Sequence, residues 1–96
     1  MKASFIVRTT PQLDRLIKKL AKHHSDLPDR FAEAIKILQT DPYNAAHLYA
    51  IKKLQGVKAG EGQYRLRLQR WRFRYDVWGQ EVELNYCGLR REDTYR

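Results

Sequence analysis

Two short runs carry the chemistry of this chain: Tyr64-Arg65-Leu66-Arg67-Leu68 and Trp71-Arg72-Phe73-Arg74-Tyr75. A guanidinium is permanently charged, planar and able to bind an anion through two parallel hydrogen bonds. Several of them on one rigid surface can hold an anion. Strict alternation of arginine with apolar residues is the period of a half-buried strand. Only Gln69 and Arg70 separate the runs, which predicts a tight hairpin. In that register Leu68 faces Trp71, Leu66 faces Phe73 and Tyr64 faces Tyr75, while Arg67 stands opposite Arg72 and Arg65 opposite Arg74. Like charges directly opposite one another destabilise a sheet by a few tenths to ~1 kcal/mol per pair. A face that tolerates two such pairs is suited to holding something anionic.

The strand ending at Cys87 runs on into Gly88-Leu89-Arg90-Arg91-Glu92-Asp93-Thr94-Tyr95-Arg96. This tail can bring Arg90, Arg91 and Tyr95 to the same face. A phenol among guanidiniums is easier to ionise, and could exchange a proton in acid–base catalysis. Its ring could instead stack on a nucleobase or fold back onto the core. The acids Asp76, Glu81 and Glu83 lie at the other end of the face, near Gly79-Gln80, with Asp76 beside Glu83 rather than beside an arginine. Lys52, Lys53 and Lys58 extend a basic rim, and Glu61 is an alternative base in the preceding loop. His23 and His24 fall at a helix end, where a cation meets the helix dipole favourably. His47 reads as a surface residue. Trp71 belongs to the apolar face, and Trp78, on the opposite face, is a candidate partner contact.

The chain has 96 residues, which predicts one small domain over residues 1–96 with a single core. Its formal charge of +8 favours a polyanionic partner: RNA, DNA, an acidic protein or an anionic membrane surface. Cys87 is the only cysteine, so an internal disulfide or a cysteine-based zinc site is excluded and a reducing cytoplasm fits. The first residues lack the apolar stretch of a signal peptide, and no run is long enough to span a membrane.

The elements that must position the arginines follow from local signals. Residues 3–8 read as a first strand. Thr10-Pro11 starts a helix, and Leu13, Leu16, Ile17, Leu20 and Ala21 form its apolar stripe, ending near His23 and His24. Ser25-Asp26-Leu27-Pro28 starts a second helix with Phe31, Ala34, Ile35 and Leu38 as its stripe, stopped by Asp41-Pro42. Residues 43–55 are open between a helical turn and an extended approach to the sheet, and 55–63 reads as a glycine-rich loop. Strands follow at 63–69, 71–78 and 81–87. Pairing across Gly79-Gln80 sets Phe73 against Tyr86, Arg74 against Asn85 and Arg72 against Cys87. Tyr86 then joins the apolar face, and Cys87 and Asn85 join the arginines. The expected fold is α+β: an N-terminal strand, a two-helix hairpin and a three-stranded antiparallel meander, with the helices on one face of a small twisted sheet.

This order of elements resembles the RelE/ParE superfamily of toxins from type II toxin–antitoxin systems. The local matches are Lys53-Leu54-Gln55-Gly56, Tyr64-Arg65-Leu66-Arg67, Trp71-Arg72-Phe73-Arg74-Tyr75 and the ending Gly88-Leu89-Arg90-Arg91 with Tyr95-Arg96. The resemblance implies an endoribonuclease that cleaves mRNA on the ribosome without a metal or other cofactor. It assigns Arg65, Arg67 and Arg72 to the scissile phosphate, Arg90 to charge stabilisation and Tyr95 to the base that activates the 2′-hydroxyl. Arg74, Arg91, Lys53 and Lys58 would add RNA contacts. It also implies an acidic antitoxin, laid across the arginine face or the two-helix surface. The chain departs from many relatives in having Leu89 in place of histidine and Arg74 in place of an aliphatic residue, and Arg91 competes with Arg90 for the closing role. The ParE branch, which inhibits DNA gyrase without a nuclease site, is the main rival. A non-catalytic RNA-binding module is the other.

Overall fold

A computed structural model describes residues 4–89. Its elements in chain order are β1 (Ile6–Thr9), α1 (Pro11–Ala21), α2 (Leu27–Thr40), β2 (Ala50–Lys53), β3 (Tyr64–Leu68), β4 (Trp71–Trp78) and β5 (Glu81–Leu89). The strands form one sheet in the order β1-β5-β4-β3-β2. β1 runs parallel to β5, and every other pair is antiparallel.

One expectation is corrected here, and one alternative is settled. The sheet is five-stranded and mixed, not a three-stranded antiparallel meander. The open segment resolves as an extended approach: Ala50–Lys53 pairs with β3, with Ile51 opposite Leu66 and Lys52 opposite Arg65. Four residues with two adjacent lysines carry too little alternation to declare a strand. The first strand is also placed by pairing that its own sequence does not encode, since Val7 lies against Val82 in the sheet's interior row.

α1 begins as its residues dictate. Thr10 is extended, and its hydroxyl accepts from the Leu13 amide at 3.1 Å, with Pro11 in the first turn. α2 has Pro28 in its first turn, but the residue at its cap, Asp26, makes no capping bond. That carboxylate is drawn to the β3–β4 turn instead. It accepts from Arg70 at 3.2 and 2.8 Å and from the Trp71 indole at 2.9 Å. His24 sits edge-on to the same indole at 5.3 Å. The Arg70 guanidinium, then the indole, holds the Asp26 carboxyl well below the usual carboxylate range.

Leu13, Leu27, Ala34, Ile37 and Leu38 of the helices pack against Leu66, Trp71, Phe73, Tyr75, Val82, Leu84 and Cys87 of the sheet. Tyr75 is fully buried, and its hydroxyl donates to the Pro42 carbonyl at 2.6 Å. Burial pushes this phenol above its ordinary range, with Tyr64, Asp41 and Tyr43 adding to the effect, so it is a structural donor.

The β3–β4 register is the expected one, with Arg67 opposite Arg72 and Arg65 opposite Arg74. The β4–β5 register is as expected only near the turn, where Tyr75 faces Leu84 and Asp76 faces Glu83. The ladder then shifts between Arg74 and Tyr75, leaving Asn85 as an extra residue in β5. Beyond this bulge Arg74 faces Tyr86, Phe73 faces Cys87 and Arg72 faces Gly88. Tyr86 therefore joins the arginines, and Cys87 turns into the core at 1% exposure. Both are the reverse of the expected placement, because one inserted residue moves everything after it to the other face.

Candidate functional site

The helices cover one face of the sheet. The other face is organised in rows that run across the strands, about 4.8 Å from one strand to the next and about 6.8 Å from row to row. The first row is Ala50, Arg67, Arg72 and Gly88. The second is Lys52, Arg65, Arg74 and Tyr86. The third holds Asp76 and Glu83 with Arg8 at the edge, and the fourth holds Trp78, Glu81 and Ile6. Four arginines and a lysine thus occupy two adjacent rows. Among the described residues the acids begin only in the third.

The four arginines are not equivalent. Arg67 is exposed, Arg65 and Arg74 are half-buried, and Arg72 is only 4% exposed. Arg72 is therefore a fixed charge within the face, and Arg67 is the one most open to a ligand. Arg74 reaches over to the β2–β3 loop, where its Nε donates to the Gly62 carbonyl at 3.2 Å and its Nη2 to the Gly62 and Glu61 carbonyls at 3.0 Å.

Asp76 holds the same loop from the next row. Its carboxylate accepts from the Gly62 amide at 2.9 Å, the Gln63 amide at 3.0 Å and the Asn85 side chain at 2.9 Å. At 1% exposure it neutralises loop donors and does not face solvent. Gly62 is required where these groups meet. Its φ is +82°, and a Cβ there would lie 2.9 Å from Asn85 Oδ1 and 3.0 Å from Arg74 Cβ. On this face Glu81 pairs at 3.0 Å with Arg8 on the edge strand, away from the cluster.

The sequence-derived residues therefore divide. Arg65, Arg67, Arg72 and Arg74 come together on one face. Lys58 is exposed on the loop that Arg74 and Asp76 hold against that face, in a turn closed by the Glu61 amide on the Lys58 carbonyl at 3.0 Å. Lys53 sits on the helix-covered face, with its ammonium 5.9 Å from the Tyr64 ring. Arg90, Arg91 and Tyr95 lie outside the described residues. Two residues join the site that the sequence-based register left out of it: Lys52, in the second row, and Tyr86, turned there by the bulge. The lysine was legible as part of a basic rim. Tyr86 had no local signal, because Val82, Leu84 and Tyr86 continue one apolar alternation. Trp71 is fully buried, as its register requires, and Trp78 is 45% exposed at the far end of the open face.

No protein-family model and no curated protein matches the sequence. Solved structures do match. The archaeal RelE–RelB complex from Pyrococcus horikoshii shares 24% identity over 91% of this chain and 96% of that one, with a TM-score of 0.66. The YafQ–DinJ toxin–antitoxin complex of E. coli superposes at a TM-score of 0.69 with 14% identity, covering 95% of this chain and 98% of that one. The YoeB dimer from Staphylococcus aureus gives 0.64 at 20% identity, over 88% and 95% of the two chains. At these identities the likeness is one of fold, and the chain has the fold of the RelE-type toxins.

Proposed function

We propose that this chain is the toxin of a type II toxin–antitoxin system and acts as a metal-independent endoribonuclease on mRNA held by the ribosome. The observation that carries the reading is the pair of arginine rows on the open face of a RelE-like sheet. In this reading Arg67 and Arg65 bind the scissile phosphate and Arg72 supplies a fixed, nearly buried charge behind it. The 2′-oxygen attacks the adjacent phosphorus as its proton passes to a base, a role assigned to Tyr95. The bond from phosphorus to the 5′-oxygen breaks, that oxygen takes up a proton, and a 2′,3′-cyclic phosphate remains. The transition state gathers negative charge on the phosphoryl oxygens, and preorganised guanidiniums stabilise it without reorganising. Arg90 adds to this charge, Arg74 and Asp76 hold the loop that carries Lys58, and Arg91 makes an outlying RNA contact, whereas Lys53, on the helix-covered face, lies off this site. The E. coli complex whose fold matches pairs a toxin with an antitoxin, which supports an antitoxin as this chain's own partner, and the net charge of +8 favours an acidic one.

The test is to map new mRNA 5′ ends in cells induced for the protein, beside an Arg67→Ala Arg72→Ala control. Ends inside translated codons that disappear in the control support the proposal. Growth arrest with intact mRNA refutes it and points to a gyrase-type target.

A further inference from the structure

The cations of the two basic rows differ in what they already do within the protein. Arg74 is tied to the β2–β3 loop carbonyls, and Arg65 and Arg72 each interact with other groups of the chain. Arg67 on β3 and Lys52 on β2 are exposed, and among the described residues no hydrogen bond or ion pair holds either side chain. These two are diagonal neighbours. Arg67 stands in the first row opposite Ala50, and Lys52 stands in the second row opposite Arg65. Diagonal pairs of this kind are about 7–8 Å apart. β2 is the outermost strand on this side of the sheet, so no further strand flanks Lys52.

The alanine is informative. Ala50 takes the place beside Arg67, where a long cation would converge on the same phosphate, and it has no charge to offer. The cation that β2 gives to this face is set one row further on instead. One ribose separates neighbouring phosphates of an RNA strand, a span close to this diagonal. From this placement we infer that Lys52 is a further binding residue, holding the phosphate next to the scissile one, so that the RNA backbone crosses from the first row to the second along the β2–β3 edge. The inference rests on the ribonuclease reading and gives its substrate a path across the face. A lysine suits the place, because an ammonium on a flexible stem acts as a point charge and positions a backbone without selecting a base.

The experiment compares two 2′-O-methylated RNAs with unphosphorylated ends, which their own 2′-oxygens cannot cleave: a dinucleotide with one phosphodiester and a trinucleotide with two. Binding is measured across a range of salt concentrations. The wild type should bind the trinucleotide about fivefold more tightly at low salt. Its slope of log affinity against log salt should be steeper for the trinucleotide by about 0.7, the contribution of one more neutralised phosphate. In Lys52→Ala that extra slope should vanish, with dinucleotide affinity and melting temperature unchanged. Lys52→Arg keeps the charge and should restore the slope. Lys53→Ala removes an equal charge from the helix-covered face and should leave the extra slope in place. An extra slope that survives Lys52→Ala overturns the assignment, and so does an equal loss for both RNAs, which would put Lys52 on the first phosphate. A wild type that binds both RNAs with the same slope overturns the inference and leaves the ribonuclease reading standing. A wild type that binds neither overturns both.

Discussion

Asp76→Ala should be among the most destabilising single changes on the open face, although Asp76 touches no solvent. The carboxylate is the shared acceptor for the Gly62 amide, the Gln63 amide and the Asn85 side chain, at 2.9, 3.0 and 2.9 Å. Hydrogen bonds to a charged group contribute about 1.5–3 kcal/mol each, and stranded buried donors cost a further fraction of that. The loop amides can recover water by swinging outward, and removing a buried carboxylate relieves its desolvation. The low end of the range therefore applies, and the three bonds together amount to about 3–5 kcal/mol. For a domain of this size that is a fall in melting temperature on the order of 15 °C or more. Urea unfolding gives the free energy, and amide exchange gives its location. The Gly62 and Gln63 amides should lose protection well before those of β4. Asp76→Asn, which keeps one acceptor oxygen, should fall between. A change below about 1 kcal/mol in Asp76→Ala, or persistent protection of the two loop amides, would refute the clamp.

Further outcomes follow from other contacts. Arg67→Ala should abolish RNA cleavage while leaving stability equal or up to ~1 kcal/mol higher in denaturant titrations, because it removes the charge opposite Arg72; the gain should shrink with added salt. Gly62→Ala should cost more than Gly60→Ala, both by thermal melting. Each has a positive φ, but a Cβ at Gly60 meets open space while one at Gly62 strikes Asn85 and Arg74. Asp26 binds its proton more weakly folded than unfolded, so the stability it contributes is complete above the ordinary carboxylate value of about 4 and drains away as pH falls below it. Asp26→Asn should be less stable than wild type at neutral pH, and the gap should narrow in acid. Cys87, 1% exposed in the core, should react with a thiol reagent only as fast as the protein unfolds. Rapid labelling of the native protein would put Cys87 on the open face and remove the bulge.

How much of this was legible in the residues depended on whether local pattern or distant contact decided the outcome. Both helices followed from caps, prolines and apolar spacing. The arginine hairpin followed from alternation and a two-residue connection, because a slip would have exposed Leu66 and Phe73 and buried Arg65 and Arg67. β2 was not legible, since its pairing comes from β3 and its own four residues are half lysine. The parallel contact of β1 with β5 was equally hidden, because a strand does not name its neighbour.

The bulge shows why the site was only half readable. Val82, Leu84 and Tyr86 alternate without a break, and nothing within β5 requires Asn85 to be an extra residue. What requires it lies elsewhere in the chain. Asp76 takes the Asn85 amide as its third donor, and the loop backbone at Gly62 packs against the Asn85 oxygen. These contacts join residues far apart in sequence, and their joint effect is to turn Tyr86 outward and Cys87 inward. The bulge and the loop clamp therefore form one coupled unit. Asp76→Ala should release both, so that Cys87 becomes open to a thiol reagent in the folded protein as the Gly62 and Gln63 amides lose protection. If Cys87 stays as slow to react as in the wild type while those two amides exchange freely, the coupling fails.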